Sequence, residues 1–186
     1  MSSGDQHVAT PGAIRTIDSG LNRVAAVMVG TMLSLAAAAV FLQILVRFAL
    51  PPLGVVISAP WTEESARFLI TWSVFLGAAV QCRRGGLIAV TSLPAALPPN
   101  MGRALLISSA ILTAVFFGFL LAIGWNWAIA SASERATVLR IPMTAVYASM
   151  PVGSALAILN LGLFLIELIR ADQSDVKQIL SPAATE

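Results

Sequence analysis

Residues 61–88 read WTEESARFLITWSVFLGAAVQCRRGGLI, and this stretch decides the fold. It begins with a charged cluster of Glu63, Glu64 and Arg67, continues as an apolar segment, and ends in two arginines followed by two glycines. An apolar segment of about 20 residues between charged ends is typical of a helix that crosses a bilayer. Because charge beside hydrocarbon costs free energy, the cluster at the start of this helix requires a structural or functional reason.

The composition indicates that the bilayer is the solvent of this protein. Of its residues, 58% are hydrophobic and 11% are charged, whereas a soluble domain typically carries about 25% charged residues. Cys82 is the only cysteine and His7 the only histidine, so the chain can form no internal disulfide. A haem held by two histidines and a zinc site built on several are excluded within this chain for the same reason. We therefore expect no cofactor.

Long apolar stretches predict an all-α integral membrane protein with four transmembrane helices. Between helices two and three, prolines prevent another span, and we expect a short interfacial segment that lies along the headgroups. The N-terminal tail could form a short surface helix or a flexible extension. The predicted boundaries are a tail at 1–22, a membrane domain at 23–169 with spans at about 24–46, 62–82, 104–128 and 144–166, and a second tail at 170–186.

The arginines predict the orientation of the four helices. An even number of spans places both termini on one side, together with Arg83, Arg84 and Arg103. The excess of arginine marks that side as cytoplasmic. The opposite interface then receives the aromatic side chains that prefer this depth, namely Trp61, Trp125, Trp127 and Tyr147.

Helix one carries small residues at a spacing that favours close helix packing. Gly30, Ser34 and Ala38 fall four apart, so they share one face of the helix. Small side chains at this spacing let another helix approach closely. The alternative is an alanine-rich helix with no particular partner, and the sequence leaves both interpretations open.

Helices two and four also carry candidate packing residues. Trp72 and Gly77 lie in the middle of helix two, where packing is a better explanation than ligand binding. In helix four, Pro151 and Gly153 are expected to bend the helix or to let a neighbour come close. Asn160 is polar and neutral, and such a residue more often ties helices together than binds a substrate.

The charged cluster at the start of helix two has three possible roles. Glu63 and Glu64 lie four and three residues before Arg67, so all three side chains can meet on one helix face. Arg47, at the end of helix one, should lie at a similar depth and could bridge to either acid. The cluster could anchor the helix at the interface, contact another subunit, or form a substrate or ion site.

The helix interiors lack the groups that a self-sufficient carrier needs. Helices one, three and four have no ionisable residue in their central turns, although proton-coupled carriers usually place one near mid-membrane. Paired repeats with broken helices, which often form sodium and substrate sites, are also missing. No motif for nucleotide hydrolysis, acyl transfer or metal chemistry occurs. We therefore expect neither an enzyme nor a nucleic-acid partner.

Three sequence segments resemble a known transporter family. Residues 43–54 read QILVRFALPPLG, residues 61–90 read WTEESARFLITWSVFLGAAVQCRRGGLIAV, and residues 141–159 read IPMTAVYASMPVGSALAIL. In this order and spacing they resemble the small membrane subunit of tripartite ATP-independent periplasmic (TRAP) transporters, the DctQ-like family. The resemblance covers about residues 20–170. One departure is Leu87, where the family often has a histidine after the basic-glycine turn.

The resemblance implies a partner rather than an independent activity. Small subunits of this family pair with a large multi-span permease in the bacterial inner membrane, and the permease holds the sodium and substrate sites. A periplasmic binding protein delivers an organic acid to the pair through transient contact. The resemblance thus implies an accessory scaffold whose partners are the permease, the binding protein and membrane lipids.

Two other functions remain compatible with the composition. One is a stand-alone small carrier or channel that works as a homo-oligomer, and it requires transport by the purified chain alone. The other is a membrane anchor of a respiratory enzyme. The single histidine counts against the usual two-histidine haem of such anchors.

Overall fold

The computed structural model describes residues 12–54, 57–83 and 98–170. Four helical segments in these ranges are long and apolar enough to cross a membrane, so the predicted all-α membrane fold with four spans is confirmed. The interfacial segment, Arg84 and Leu87 lie outside the described residues, as do residues 1–11 and 171–186 of the predicted tails. The helices are α1 (Gly12–Ile44), α2 (Pro60–Arg83), α3 (Pro99–Ala130), α4 (Met143–Tyr147) and α5 (Ser149–Arg170).

Helix α1 begins inside the segment predicted as a polar tail. It starts at Gly12 and contains 33 residues, which corresponds to about 50 Å at 1.5 Å per residue. A hydrocarbon core is only about 30 Å thick, so the helix extends well beyond it. Residues 12–22 therefore belong to the same continuous helix as the first span.

The long helices pack in the order α1, α2, α5, α3. Helix α1 packs on α2, α2 on α5, and α5 on α3. The two central helices, α2 and α5, are the more buried, while α1 and α3 expose most of their apolar side chains. In a membrane, lipid hydrocarbon surrounds the exposed apolar side chains of α1 and α3. An open row of helices is therefore compatible with a membrane location.

Helix α1 meets α2 through a face that the sequence analysis did not single out. Most of its buried or half-buried positions alternate at spacings of three and four, as in a coiled-coil seam; they are Asn22, Ala25, Val29, Met32, Ala36, Ala39, Gln43 and, just past the helix end, Val46, with Ala26 also half-buried beside them. Gly30, Ser34 and Ala38 are exposed instead. A Cβ atom added to Gly30 would meet nothing within 4 Å. Among the described residues this face packs on no other helix, and contact with a partner stays a prediction.

Helices α2 and α5 touch through their backbones at Gly153. A Cβ atom added there would lie 2.5 Å from Cβ and 2.8 Å from the carbonyl carbon of Phe75. The fourth span is interrupted at Ala148, between α4 and α5. Pro151 lies buried in the first turn of α5, where its missing N–H is tolerated. The break and the glycine together bring α5 against α2.

Two polar side chains on α2 and α5 tie the helices together. Asn160 is fully buried and donates hydrogen bonds to Asn22 of α1 at 2.8 Å and to the carbonyl oxygen of Ala79 of α2 at 2.7 Å. Trp72 of α2 donates to the carbonyl oxygen of Ala145 in α4 at 3.1 Å. Asn160 thus links three helices, as expected for a neutral polar residue inside a membrane domain.

Replacing Gly153 with alanine should destabilise the domain by about 1–3 kcal/mol, the usual cost of overpacking. The added methyl group must displace the Phe75 backbone, which a helix cannot easily move. Gly162→Ala, on the same helix, is the matched control because nothing lies within 4 Å of its added Cβ. Thermal unfolding of the two variants in detergent measures the difference. Equal unfolding temperatures would contradict the close α2–α5 approach.

Candidate functional site

The predicted charged cluster lies where α2 begins, and we call this the Glu63 end of the domain. Glu63 Oε1 accepts a hydrogen bond from Arg67 Nη2 at 3.0 Å, and both side chains are more than half exposed. Gln43 of α1 donates to the other Glu63 oxygen at 3.3 Å. An exposed pair at this helical spacing contributes well under 1 kcal/mol to stability, so its exposure leaves it available to a partner.

Arg47 does not form the bridge that the sequence suggested. The last turn of α1 widens into a π-helical turn at Leu45–Ala49, and the Arg47 guanidinium lies 5.8 Å from the ring centre of Phe48. Among the described residues no ion pair joins Arg47 to Glu63 or Glu64. Gln43 makes the α1–α2 contact instead, because it lies one helical turn earlier on the face that packs against α2.

Glu64 has a different role from Glu63. Its carboxylate accepts hydrogen bonds from the backbone N–H groups of Val138, at 3.1 Å, and Leu139, at 2.7 Å. These groups belong to residues 134–142, which we call the 134–142 turn. Glu64 therefore fixes the connection between α3 and α4 to the start of α2.

The 134–142 turn has an ordered backbone that leaves amide groups free to reach Glu64. Ala136 donates to the carbonyl oxygen of Ile141 at 2.9 Å, and Arg140 donates to that of Ala136 at 3.2 Å. Arg140 has a φ of 56°, a left-handed conformation that is uncommon for a residue with a side chain. The sequence of the turn carries no glycine to signal this geometry, so the contact with Glu64 could not be foreseen.

A cleft of about 550 Å³ lies between α2, the 134–142 turn and α4. Its rim carries both signs of charge, and its floor is apolar. Tyr147 lines it and packs edge-on against Trp127, with ring centres 6.0 Å apart. The lining residues are Glu64, Arg67, Phe68, Thr71, Glu134, Arg135, Ala136, Thr137, Met143, Val146 and Tyr147.

The opposite end of the domain holds a second ion pair, which the sequence analysis missed. Arg83, at the end of α2, donates two hydrogen bonds to the carboxylate of Glu167 in the last turns of α5, at 2.8 and 2.6 Å. Arg103 of α3 donates to the carbonyl oxygen of Ile169. Since α2 and α5 run in the same direction, the span order already places Arg83 and Glu167 at one end. That signal could have predicted the pair.

The exposed charged groups of the domain lie where a partner can reach them. The described residues contain no group of histidine, cysteine or carboxylate side chains that could hold a metal ion. A Cβ atom added to Gly77 would lie 3.6 Å from the side chain of Val29 in α1, so Gly77 belongs to the α1–α2 seam. Near the middle of the spans, the side chains of Trp72 and Asn160 donate hydrogen bonds to backbone carbonyl oxygens of neighbouring helices. The exposed charges of the described residues lie near the ends of the membrane-spanning segments or in the 134–142 turn, where another protein or a headgroup can reach them.

Comparison with known families points to a transporter component. A family model described as "Tripartite ATP-independent periplasmic transporters, DctQ component" matches residues 20–171. The matched range includes all four membrane-spanning segments and both charged ends. No curated protein matches the chain.

Replacing Glu64 with alanine should loosen the 134–142 turn without unfolding the domain. Amide hydrogen exchange at Val138 and Leu139 should become about tenfold faster or more, since a hydrogen bond to a charged group contributes about 1.5–3 kcal/mol. Glu63→Ala is the matched control, because among the described residues Glu63 bonds only to the side chains of Gln43 and Arg67. Exchange rates measured by mass spectrometry decide the outcome. Equal exchange in the two variants would mean that Glu64 does not hold the turn.

Proposed function

The chain belongs to the DctQ component family of tripartite ATP-independent periplasmic transporters, and from this premise we propose a scaffolding function. Family membership makes it a small permease component of such a transporter. We propose that it supports the large permease subunit of a sodium-coupled carrier. The carrier would take up an organic acid delivered by a periplasmic binding protein.

The observation that carries this proposal is the distribution of polar groups. The charged side chains of the described residues lie within about two turns of a helix end, in the connections between helices or, for Arg23, near the start of the first membrane-spanning segment. The polar residues near the middle of the spans, such as Asn160 and Trp72, bond to neighbouring helices. A carrier usually needs ionisable or unsatisfied groups at mid-membrane, so the solute and ion sites are assigned to the partner permease.

The row of helices supports pairing with a larger membrane protein. Helices α1 and α3 lie at the two edges and expose most of their surface. The exposed Gly30, Ser34 and Ala38 offer one place for close approach, because small residues let helix backbones meet. We propose that an edge helix of the row packs against the large permease and that lipid covers the remaining surface.

The proposed orientation places both termini in the cytoplasm and the chain in the bacterial inner membrane. Arg83 and Arg103 lie at the end of the domain where α2 and α5 finish, and the excess of arginine favours the cytoplasm. The Glu63 end then faces the periplasm. The 134–142 turn would present Arg135 and Arg140 for transient contact with the binding protein.

Deletion of this gene should abolish sodium-driven uptake in cells that keep the permease and the binding protein. We expect this result because the permease would lose the subunit that supports it in the membrane. Uptake of radiolabelled organic acids, with reintroduction of the gene as the control, measures the effect. Unchanged uptake in the deletion strain would contradict the proposal.

Arg67→Ala should weaken assembly with the permease more than it changes substrate affinity. If the partner buries the Glu63–Arg67 pair, removing one charge costs up to about 3–5 kcal/mol, compared with at most about 1 kcal/mol for an exposed pair. Co-purification yield and the substrate Kd of the assembled complex are the two measurements. Arg140→Asn is the control, since asparagine tolerates the left-handed conformation of that position. An unchanged yield for Arg67→Ala would refute a partner contact at this pair.

A further inference from the structure

The cleft at the Glu63 end combines features that suit one class of small amphipathic ligand. Its floor is formed by Phe68, Met143 and Val146, and its rim carries acidic and basic side chains. A volume of about 550 Å³ lies within the range of pockets that enclose small molecules. A ligand that fits must offer both charges to the rim and an apolar part to the floor.

The charged side chains at the rim of the cleft can still form hydrogen bonds with a ligand. Glu134 is exposed and has no ion-pair partner among the described residues. Within the described part of the chain, the Arg135 side chain makes only a long contact of 3.4 Å with the carbonyl oxygen of Arg140. Arg67 bonds to Glu63 through Nη2, and its side chain is 71% exposed. The guanidinium groups of Arg67 and Arg135 and the carboxylate of Glu134 therefore line the cleft and can still donate or accept hydrogen bonds.

The cleft lies at the depth where headgroups are found. Tyr147, which lines it, packs against Trp127 near the end of α3, and aromatic side chains of this kind mark the boundary between hydrocarbon and water. The cleft also lies beside the first three turns of α2, where the span begins. A lipid from the adjacent leaflet can therefore enter it without leaving the membrane.

We infer that this cleft binds the headgroup of phosphatidylethanolamine. Guanidinium groups pair with a phosphate through parallel hydrogen bonds, which assigns the phosphate to Arg67 and Arg135. The primary ammonium group can donate hydrogen bonds to the Glu134 carboxylate, which the quaternary ammonium of phosphatidylcholine cannot do. Phosphatidylglycerol lacks the positive charge and offers the carboxylate only neutral hydroxyl donors, which form weaker hydrogen bonds than an ammonium group does. This inference concerns lipid alone and does not depend on the permease partnership.

The test uses the full-length chain in nanodiscs that contain equal amounts of phosphatidylethanolamine, phosphatidylcholine and phosphatidylglycerol. Native mass spectrometry after release into detergent reports which lipid stays bound. The unchanged chain should retain phosphatidylethanolamine preferentially. Glu134→Gln and Arg135→Gln should each lower its occupancy by about threefold, the scale of an exposed charged contact. Glu134→Gln should also remove the preference over phosphatidylcholine.

Arg140→Asn is the matched control, because Arg140 belongs to the same turn and does not line the cleft. It should leave the retained lipid unchanged. Equal retention of the three lipids would overturn the inference. So would a preference for phosphatidylethanolamine that neither Glu134→Gln nor Arg135→Gln reduces.

Discussion

The structure depends on one constraint, the free-energy cost of charge beside hydrocarbon. The protein meets this constraint by placing its described charges near the ends of the membrane-spanning segments or between them, and by giving several of them a partner there. At the Glu63 end, Arg67 pairs with Glu63 and Glu64 accepts two backbone amides. At the other end, Arg83 pairs with Glu167. Among the residues that the structure describes, the interior between these ends consists of apolar and neutral side chains.

The same constraint explains how the helices are held together. Lipid tails are as apolar as the helix surfaces, so helices associate through close packing and hydrogen bonds rather than through the hydrophobic effect. Gly153 brings the backbones of α5 and α2 into contact, and Asn160 bonds to both α1 and α2. Because α1 packs mainly on α2 and α3 mainly on α5, both outer helices keep wide apolar faces. Such faces are suited to lipid and to a larger membrane partner.

The sequence predicted the fold class and much of the architecture, because span length and charge-free composition determine them directly. It was less informative about which faces meet. The small residues Gly30, Ser34 and Ala38 share one face of α1, which suggested a packing surface. The α1–α2 seam instead uses positions such as Ala25 and Ala36, and the spacing of three and four residues along that face could have predicted it. Glu64 could not be assigned from sequence, since its partners are backbone amides in a turn shaped by the left-handed Arg140. Arg83 and Glu167 could have been paired from the span order alone.

The central claim is that this chain is a membrane scaffold without a solute pathway of its own. Reconstitution of the purified full-length chain into vesicles, alone and together with its permease and binding protein, tests it most directly. With a sodium gradient and a radiolabelled organic acid, the account predicts no accumulation by the chain alone and accumulation by the complete system. Accumulation by the chain alone would contradict it.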